Sequence, residues 1–290
     1  MKRRTYRSGS VVAAVLCVGA FAASCGGSTE TDPGDAGEAG VIPVSHRDTG
    51  PPDVVFDMPD ARLDRMSPHA REILANMHLR VVYIGEEGVD GPPRIDDFVT
   101  WLVKSDYWAL MKEYGVQPGI FDGSVRIPTS AVFLPGMVQN ELIDYDVLDQ
   151  RILALLHPPP QDSGADAGDA GAPLIPPSKA YLFMLPDHIN VRLGGADQTC
   201  IQAGGYHSHD SKEPYSIIPP CRFGRSAVTI SHELAEMATD PLPQYGWYSD
   251  KEVQNAGGEI GDLCNQPIGV EGWTVTQLWS NKNGVCIPTF

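Results

Sequence analysis

The pattern of apolar and polar residues along the chain predicts both strands and helices. Short, mainly apolar runs at Leu79–Ile84 and Lys179–Pro186 are bounded by Gly or Pro, which is typical of strands that are covered on both faces. Apolar residues three or four positions apart predict one or two helices over 95–114, with a break near Ser105, and one helix over 140–157. Further predicted elements are a short helix at 70–77, a short strand at 124–128 and a strand at 273–280.

One more predicted helix, near residues 227–240, carries the densest group of chemically useful side chains. Its apolar stripe consists of Ala227, Ile230, Leu234, Met237 and Ala238. His232 and Glu236 are four positions apart, so they lie one above the other on a second face, and Asp240 extends that row by one turn. Pro241 ends the helix because it has no N–H group and restricts the residue before it.

The order of these elements predicts the fold class and the domain organisation. Strands and helices alternate early and loops dominate later, which predicts an α/β (α+β) domain with a mixed sheet flanked by helices. We expect this single domain to occupy residues 69–290, interrupted by a low-complexity loop at 158–177. Residues 25–68 are rich in Gly, Asp, Ala and Pro, and such a segment cannot bury enough apolar surface to fold, so we interpret it as an acidic tether.

The N-terminal segment predicts export. Basic residues precede a short apolar run, and small residues precede Cys25, so residues 1–24 resemble a lipoprotein signal peptide with Cys25 as the lipidated residue. Gly26 after that cysteine favours sorting to the outer membrane. The alternative is an ordinary secretory signal that is cleaved nearby. Either interpretation places the mature protein outside the cytoplasm, in the cell envelope or in the medium.

Four cysteines remain for the folded domain, and their even number in an exported protein predicts two disulfides. Pairing between neighbours, Cys200 with Cys221 and Cys264 with Cys286, is our first choice among three possible patterns. A thiolate zinc site is the alternative, but the sequence contains no Cys-x-x-Cys pair.

The charge of the chain argues against nucleic acid as a partner. The formal net charge is −16, from 37 acidic and 21 basic residues, whereas phosphate binding needs a basic surface. The acidic excess fits a soluble surface or one that collects cations.

The spacing His-Glu-x-x-Glu at 232–236 predicts a metal site of the zincin type, in which the usual final His is replaced by Glu. His232 and Glu236 can hold zinc at ~2 Å from one helix face, and Glu233 stands where the general base of a zinc hydrolase stands. A third ligand is required. The candidates are Glu259, Asp262, Asp240, His207 and His209. The two histidines flank Ser208 in a segment that we interpret as an exposed loop.

Two motifs carry a resemblance to a known family. His-Glu-Leu-Ala-Glu at 232–236 and Glu-Ile-Gly-Asp-Leu-Cys at 259–264 resemble the signature of exported bacterial proteins described as metallopeptidase-like, and Gly-Tyr-His at 205–207 resembles the same group. The motifs are also similar to those of plant phosphate-induced, EXORDIUM-like secreted proteins. The resemblance spans roughly 79–290. It implies a shared fold and a shared site that includes Glu259 and Asp262, but the plant proteins are described as cell-wall growth regulators, so it leaves the activity open.

These observations lead to one functional hypothesis and two alternatives. The first is an exported, lipid-anchored zinc hydrolase that acts on a peptide or cell-wall-type substrate, with calcium or manganese as less favoured metals. The second is a non-catalytic cell-envelope protein that binds a peptide or glycan, and the third is a structural protein stabilised by a cation. A serine-hydrolase elbow and a phosphate-binding glycine loop are both absent from the sequence.

Overall fold

Strands and helices follow one another along the chain, as the pattern predicts. The structure is a computed structural model, and it describes residues 66–68, 73–85, 92–158, 173–195, 197–209, 213–221, 227–242, 246–249 and 258–288. The strands are β1 Ser67–Pro68, β2 His78–Ile84, β3 Ile120–Ile127, β4 Leu142–Asp144, β5 Ala180–Met184, β6 Asn190–Gly194, β7 Asp197–Gln198, β8 Tyr206–His209, β9 Pro214–Ile218, β10 Trp247–Tyr248, β11 Pro267–Val270, β12 Trp273–Thr276, β13 Leu278–Ser280 and β14 Val285–Ile287. The helices are α1 Pro92–Leu102, α2 Asp106–Ala109, a 3₁₀ helix Leu110–Tyr114, α3 Thr129–Val132, α4 Tyr145–Leu156 and α5 Ala227–Thr239.

A five-stranded mixed sheet forms the centre of the fold, with strand order β3-β2-β5-β9-β8. The first four strands are parallel, and β8 pairs antiparallel with β9 at one edge. Every residue of β5 and β9 is buried, as continuous apolar runs in central parallel strands require. The chain therefore has the predicted α+β class.

Helices cover both faces of this sheet. Along β2, Leu79 and Val81 face a core shared with α1 and α5, whereas Val82 and Ile84 face a second core shared with α4. The alternation of side chains along a strand thus divides the apolar residues between two layers. Helix α5 belongs to the first layer and packs against β8, β9 and β12.

Small two- and three-stranded sheets surround this framework. Strands β4, β6 and β7 form one, and the pairs β11-β12, β13-β14 and β1-β10 form three more. In the last pair Ser67 lies opposite Tyr248, and Met66 is buried, with its N–H donating to the Asn281 side chain at 2.9 Å. The folded domain therefore includes residues 66–68, so the predicted boundary between tether and domain lies too late.

The predicted helix at 70–77 is wrong over its described residues, 73–77. The N–H of Leu74 donates to the carbonyl of Ala238 at 2.9 Å, and the carbonyl of Ala75 accepts from Gln117 at 2.8 Å. These backbone bonds to distant parts of the chain replace the local bonds of a helix. Tertiary pairing therefore overrides the helical propensity of this segment.

The predicted helix at 140–157 begins five residues late. Asn140 and Glu141 have φ angles of 51° and 65°, in the left-handed region that ends regular structure. The chain then forms β4, which pairs parallel with β6, and only afterwards enters α4. The apolar residues Leu142 and Ile143 thus belong to a strand and not to the helix.

The predicted strand at 273–280 is divided in two at Gln277. Residues before it pair with β11, and residues after it pair with β14. The N–H of Gln277 donates to the carbonyl of Gln266 at 2.7 Å, which turns the chain between the two pairings. The break near Ser105 is confirmed, since the Ser105 hydroxyl caps α2 by accepting from the N–H of Trp108 at 3.1 Å.

Both predicted disulfides, Cys200–Cys221 and Cys264–Cys286, are present in the structure. The signal peptide, Cys25, the tether up to residue 65 and loop residues 159–172 lie outside the described residues. Among the helices that are described, none combines the length and the apolar character needed to cross a membrane.

Candidate metal centre

The predicted metal-binding helix is buried on every side. All residues of α5 from Ile230 to Thr239 are buried, including His232, Glu233 and Glu236. The apolar side of the helix packs into the first core through residues such as Leu234 and Met237. Its polar side faces β8 and the turn segment 258–264, so charged groups from three parts of the chain meet inside the domain.

A first group of donor atoms is centred on His232. Its Nε2 lies 3.0 Å from Glu236 Oε1 and 3.4 Å from Asp262 Oδ1, and the three donor atoms lie within 4.8 Å of one another. In a tetrahedral zinc site with ligands at ~2.0–2.1 Å, donor atoms are about 3.3 Å apart. The N–H of Asp262 also donates to Glu236 Oε1 at 3.2 Å, which fixes the orientation of that carboxylate. The spacing of these three residues therefore fits a metal ion.

A second group lies beside the first and shares Glu236 with it. His207 on β8 places Nε2 3.3 Å from Glu259 Oε1 and Nδ1 3.7 Å from Glu236 Oε2. Its donor atoms also lie within 4.8 Å of one another. Glu233 joins this side of the cluster, with its Oε2 3.6 Å from His207 Nδ1. His207 lies on a buried strand, where the sequence had predicted an exposed loop.

Several polar atoms of the cluster are buried without a hydrogen bond. Glu259 and Asp262 are each 5% exposed and His207 is 8% exposed. Nevertheless His207 Nε2, Glu259 Oε1 and Asp262 Oδ2 have no hydrogen-bond partner among the described residues. Burying polar atoms without a hydrogen bond is unfavourable, and for His207 Nε2 and Glu259 Oε1 only their mutual ion pair at 3.3 Å offsets this, so a cation could compensate for these atoms.

The electrostatics of the cluster raise the pKa of both imidazoles. Burial alone would lower the pKa of His207, but Glu259, Glu233 and Glu236 outweigh burial and hold the pKa well above its usual value. Glu236 and Asp262 have the same effect on the pKa of His232.

The carboxylates show the opposite response to burial. Burial raises the pKa of Glu236 well above its usual value, and Asp262 and Glu259 add to the rise. Burial likewise raises the pKa of Glu259. Without a cation the cluster thus retains protons, and a metal ion that binds here must displace them.

Two glycines allow the elements of the centre to approach each other closely. A Cβ atom on Gly261 would lie 2.7 Å from His232 Nδ1 and 2.9 Å from Glu236 Oε1. A Cβ on Gly205 would lie 2.9 Å from the carbonyl oxygen of Ile217 and 3.2 Å from Glu233 Cγ. Only glycine permits both approaches, because it has no side chain.

Two of the predicted ligand candidates do not join either group. Asp240 is buried, and its Oδ1 accepts from the N–H of Gly246 at 2.6 Å, so it holds the loop that follows α5. His209 lies two residues beyond His207 at the end of β8 and is only partly buried. Among the aromatic residues near the motifs, Trp279 is buried in the first core and Trp247 donates from Nε1 to the carbonyl of Tyr114 at 2.9 Å, so both contribute to packing.

The sequence predicted every member of the cluster but missed its arrangement. It treated His207, Glu259 and Asp262 as competing third ligands, whereas the structure divides them between two groups that share Glu236. It also assigned nothing to Gly261, although a glycine between two acidic residues of one motif is a signal of close backbone approach.

A partly buried carboxylate that the sequence missed fixes β8 from the other side of the sheet. Asp149 on α4 accepts hydrogen bonds from the Tyr206 hydroxyl at 3.0 Å and the Ser208 hydroxyl at 3.2 Å. Because side chains alternate along a strand, these contacts leave His207 facing α5. Burial raises the pKa of Asp149 to about 6, in spite of these hydrogen bonds.

The Asp149 carboxyl should make the protein less stable as the pH rises from 4.5 to 7.5. The pKa of Asp149 is about 6 in the folded state, above the usual 3.8 of an aspartate, so the folded state binds the proton more tightly than the unfolded chain. The stabilisation that this proton provides is lost as the pH rises through about 6. The Asp149→Asn variant has no carboxyl group at this position, so its free energy of unfolding lacks this dependence on pH. From pH 4.5 to pH 7.5 the free energy of unfolding of the variant should therefore rise by about 2 kcal/mol relative to that of the wild type. Urea unfolding at both pH values measures the difference, and an equal difference at the two would contradict the assignment.

Comparisons with known proteins give no family for this chain. No family model matches it, and no curated protein or solved structure shows significant similarity to it. The resemblance to exported metallopeptidase-like and EXORDIUM-like proteins thus stays a prediction, and the function has to be argued from the centre itself.

Proposed function

We propose that the protein is an exported, zinc-dependent hydrolase that acts on peptides. The observation that carries this proposal is the meeting of His232, Glu236 and Asp262 at distances that suit zinc, with Glu233 beside them on the same helix. Nitrogen and carboxylate donors favour zinc, and the two carboxylates in this set make manganese or calcium the alternatives.

Each of these residues has a distinct role in the proposed reaction. His232 Nε2, Glu236 Oε1 and Asp262 Oδ1 would hold the metal, and three protein ligands leave positions for substrate and water. A bound zinc ion supplies a Lewis acid that polarises a carbonyl oxygen and makes a water molecule more acidic. Glu233 takes a proton from the attacking water while the water oxygen bonds to the carbonyl carbon. The C–N bond then breaks, and Glu233 returns the proton to the leaving amine.

The neighbours of Glu233 support its role as the general base. It is 3% exposed, and among the described residues its Oε2 forms an ion pair with His207 Nδ1 at 3.6 Å. This imidazole holds the carboxylate in place, and it leaves the other carboxylate oxygen, Oε1, outside the ion pairs of the described residues.

Replacing Glu233 by Gln should abolish turnover and spare metal binding. Gln keeps the size of the side chain but cannot accept the proton, so we expect a loss of about 10²- to 10⁴-fold in kcat. The assay incubates the protein with a library of unstructured peptides and identifies new termini by mass spectrometry. Metal content, measured by atomic emission on the same samples, should equal that of the wild type.

Glu271→Gln is the matched control for this experiment. Glu271 is exposed and lies in the turn between β11 and β12, where it accepts from Trp101 Nε1 at 2.8 Å. That variant should cleave peptides at the wild-type rate. A wild-type protein that contains zinc but cleaves no peptide in the library would overturn the proposed peptidase activity.

One observation favours a second candidate, a structural protein whose fold is stabilised by a cation. His232, Glu233, Glu236, Glu259, Asp262 and His207 are each at most 8% exposed. A buried cation contributes to stability even where no substrate reaches it. In this case Glu233→Gln changes no contact between the protein and the cation, whereas removing the metal with a chelator strongly lowers the melting temperature.

The proposed location is the cell envelope, with a lipid anchor at Cys25. The two disulfides support export, because such bonds persist in oxidising compartments. Mass spectrometry of the mature N-terminus tests this part of the proposal. A diacylglyceryl modification on Cys25 is expected, and an unmodified N-terminus elsewhere would contradict it.

A further inference from the structure

We infer that this centre binds two divalent cations side by side, with Glu236 as the carboxylate that they share. The inference deepens the proposed function and rests on it in one respect, namely that the buried cluster binds metal. It does not depend on which reaction the centre catalyses.

The two oxygens of Glu236 face two different sets of donors. Oε1 lies 3.0 Å from His232 Nε2, and Oε2 lies 3.7 Å from His207 Nδ1. Each set then contains one imidazole, one carboxylate of its own, Asp262 or Glu259, and one oxygen of Glu236. Equivalent sets on both sides of one carboxylate are typical of two-metal hydrolytic sites, whose ions lie about 3.5–4 Å apart.

The atoms without hydrogen bonds fall on both sides of Glu236. Asp262 Oδ2 belongs to the first set, whereas His207 Nε2 and Glu259 Oε1 belong to the second. A single cation bound by His232 would leave His207 Nε2 and Glu259 Oε1 buried without a hydrogen bond, with only each other as charged neighbours at 3.3 Å. Two cations satisfy both sets.

The charge of the cluster also favours two bound cations. Four buried carboxylates meet here: Glu233, Glu236, Glu259 and Asp262. In the described part of the chain their ion pairs are with His207 and His232, and none is with Lys or Arg. With neutral imidazoles, the form that binds metals, the cluster carries a charge of −4, and two divalent cations balance it. One cation bound by His232, with His207 still protonated, would leave one buried negative charge uncompensated.

Metal stoichiometry tests this inference without reference to activity. Wild-type protein, freed of metal with a chelator and titrated with Zn²⁺, should bind about two ions per chain in native mass spectrometry. Asp262→Asn and Glu259→Gln should each bind about one ion, because each removes a ligand from one set only. Glu233→Gln should still bind two, since Glu233 belongs to neither set.

A spectroscopic measurement on the wild type covers the case in which a variant fails to fold. Loaded with Mn²⁺, the full chain should give the electron paramagnetic resonance spectrum of a magnetically coupled pair, whereas one ion gives an isolated spectrum. One bound ion in the wild type, an uncoupled spectrum, or two retained ions in folded Asp262→Asn and Glu259→Gln would each overturn the inference. If two ions bind but no peptide is cleaved, the proposed function fails and the two-cation centre stands.

Discussion

Replacing Gly261 by Ala is expected to weaken metal binding about 10- to 100-fold. The added Cβ would lie 2.7 Å from His232 Nδ1 and 2.9 Å from Glu236 Oε1, closer than non-bonded carbon contacts allow. Both side chains belong to buried α5 and have little room to retreat. The backbone of Gly261 is not in the left-handed region, so the expected effect is steric and acts on the donor atoms directly.

Gly269→Ala provides the matched control for this substitution. A Cβ at Gly269, in β11, meets no other atom within 4 Å. Metal affinity is measured for both variants by competition with a fluorescent zinc chelator, and thermal melting of the metal-free proteins shows whether the fold is intact. Wild-type affinity in Gly261→Ala would mean that the segment 258–264 can move away from α5, and would contradict the expected steric effect on the donor atoms.

The sequence predicted the elements whose own residue pattern shows how they are buried. Helix α5 has an apolar stripe and a Pro at its end, and the apolar runs of β2 and β5 can be covered only on both faces of a sheet. It failed where distant pairing decides the conformation. Residues 73–77 bond to the end of α5 and to the segment after the 3₁₀ helix, and no local pattern carries that information. Strand β8, with two His residues among Gly and Ser, resembled a loop because its burial comes from the neighbouring β9 and α4.

The membership of the centre was more predictable than its geometry. His232 and Glu236 lie on one helix, so their spacing alone places them together. Glu259 and Asp262 came from a second motif, and the sequence could not show that they point to opposite sides of Glu236. That division depends on how the segment 258–264 turns. Two backbone hydrogen bonds fix this turn. The N–H of Leu263 donates to the carbonyl oxygen of Glu259 at 3.1 Å, and the N–H of Trp279 donates to the carbonyl oxygen of Ile260 at 3.1 Å.

Removing the disulfide Cys264–Cys286 is expected to have the second large effect, on stability and on metal binding together. Its two cysteines are 22 positions apart, and closing a loop of that length stabilises a folded protein by about 3 kcal/mol. Cys264 follows Asp262 by two residues and ends the segment that carries Glu259. The double variant Cys264→Ala/Cys286→Ala should therefore lose about this amount of unfolding free energy and should also bind zinc more weakly.

The other disulfide separates these two effects. Cys200–Cys221 closes a loop of nearly the same length, 21 positions, so Cys200→Ala/Cys221→Ala should lose a similar free energy of unfolding in urea. It joins the segments that flank β8 and β9, and those strands remain paired through their own backbone hydrogen bonds, so His207 stays in place. Zinc affinity should fall in the first double variant and change little in the second. Equal losses of affinity in both would show that metal binding follows overall stability, and that the Cys264–Cys286 bond has no specific role in positioning Glu259 and Asp262.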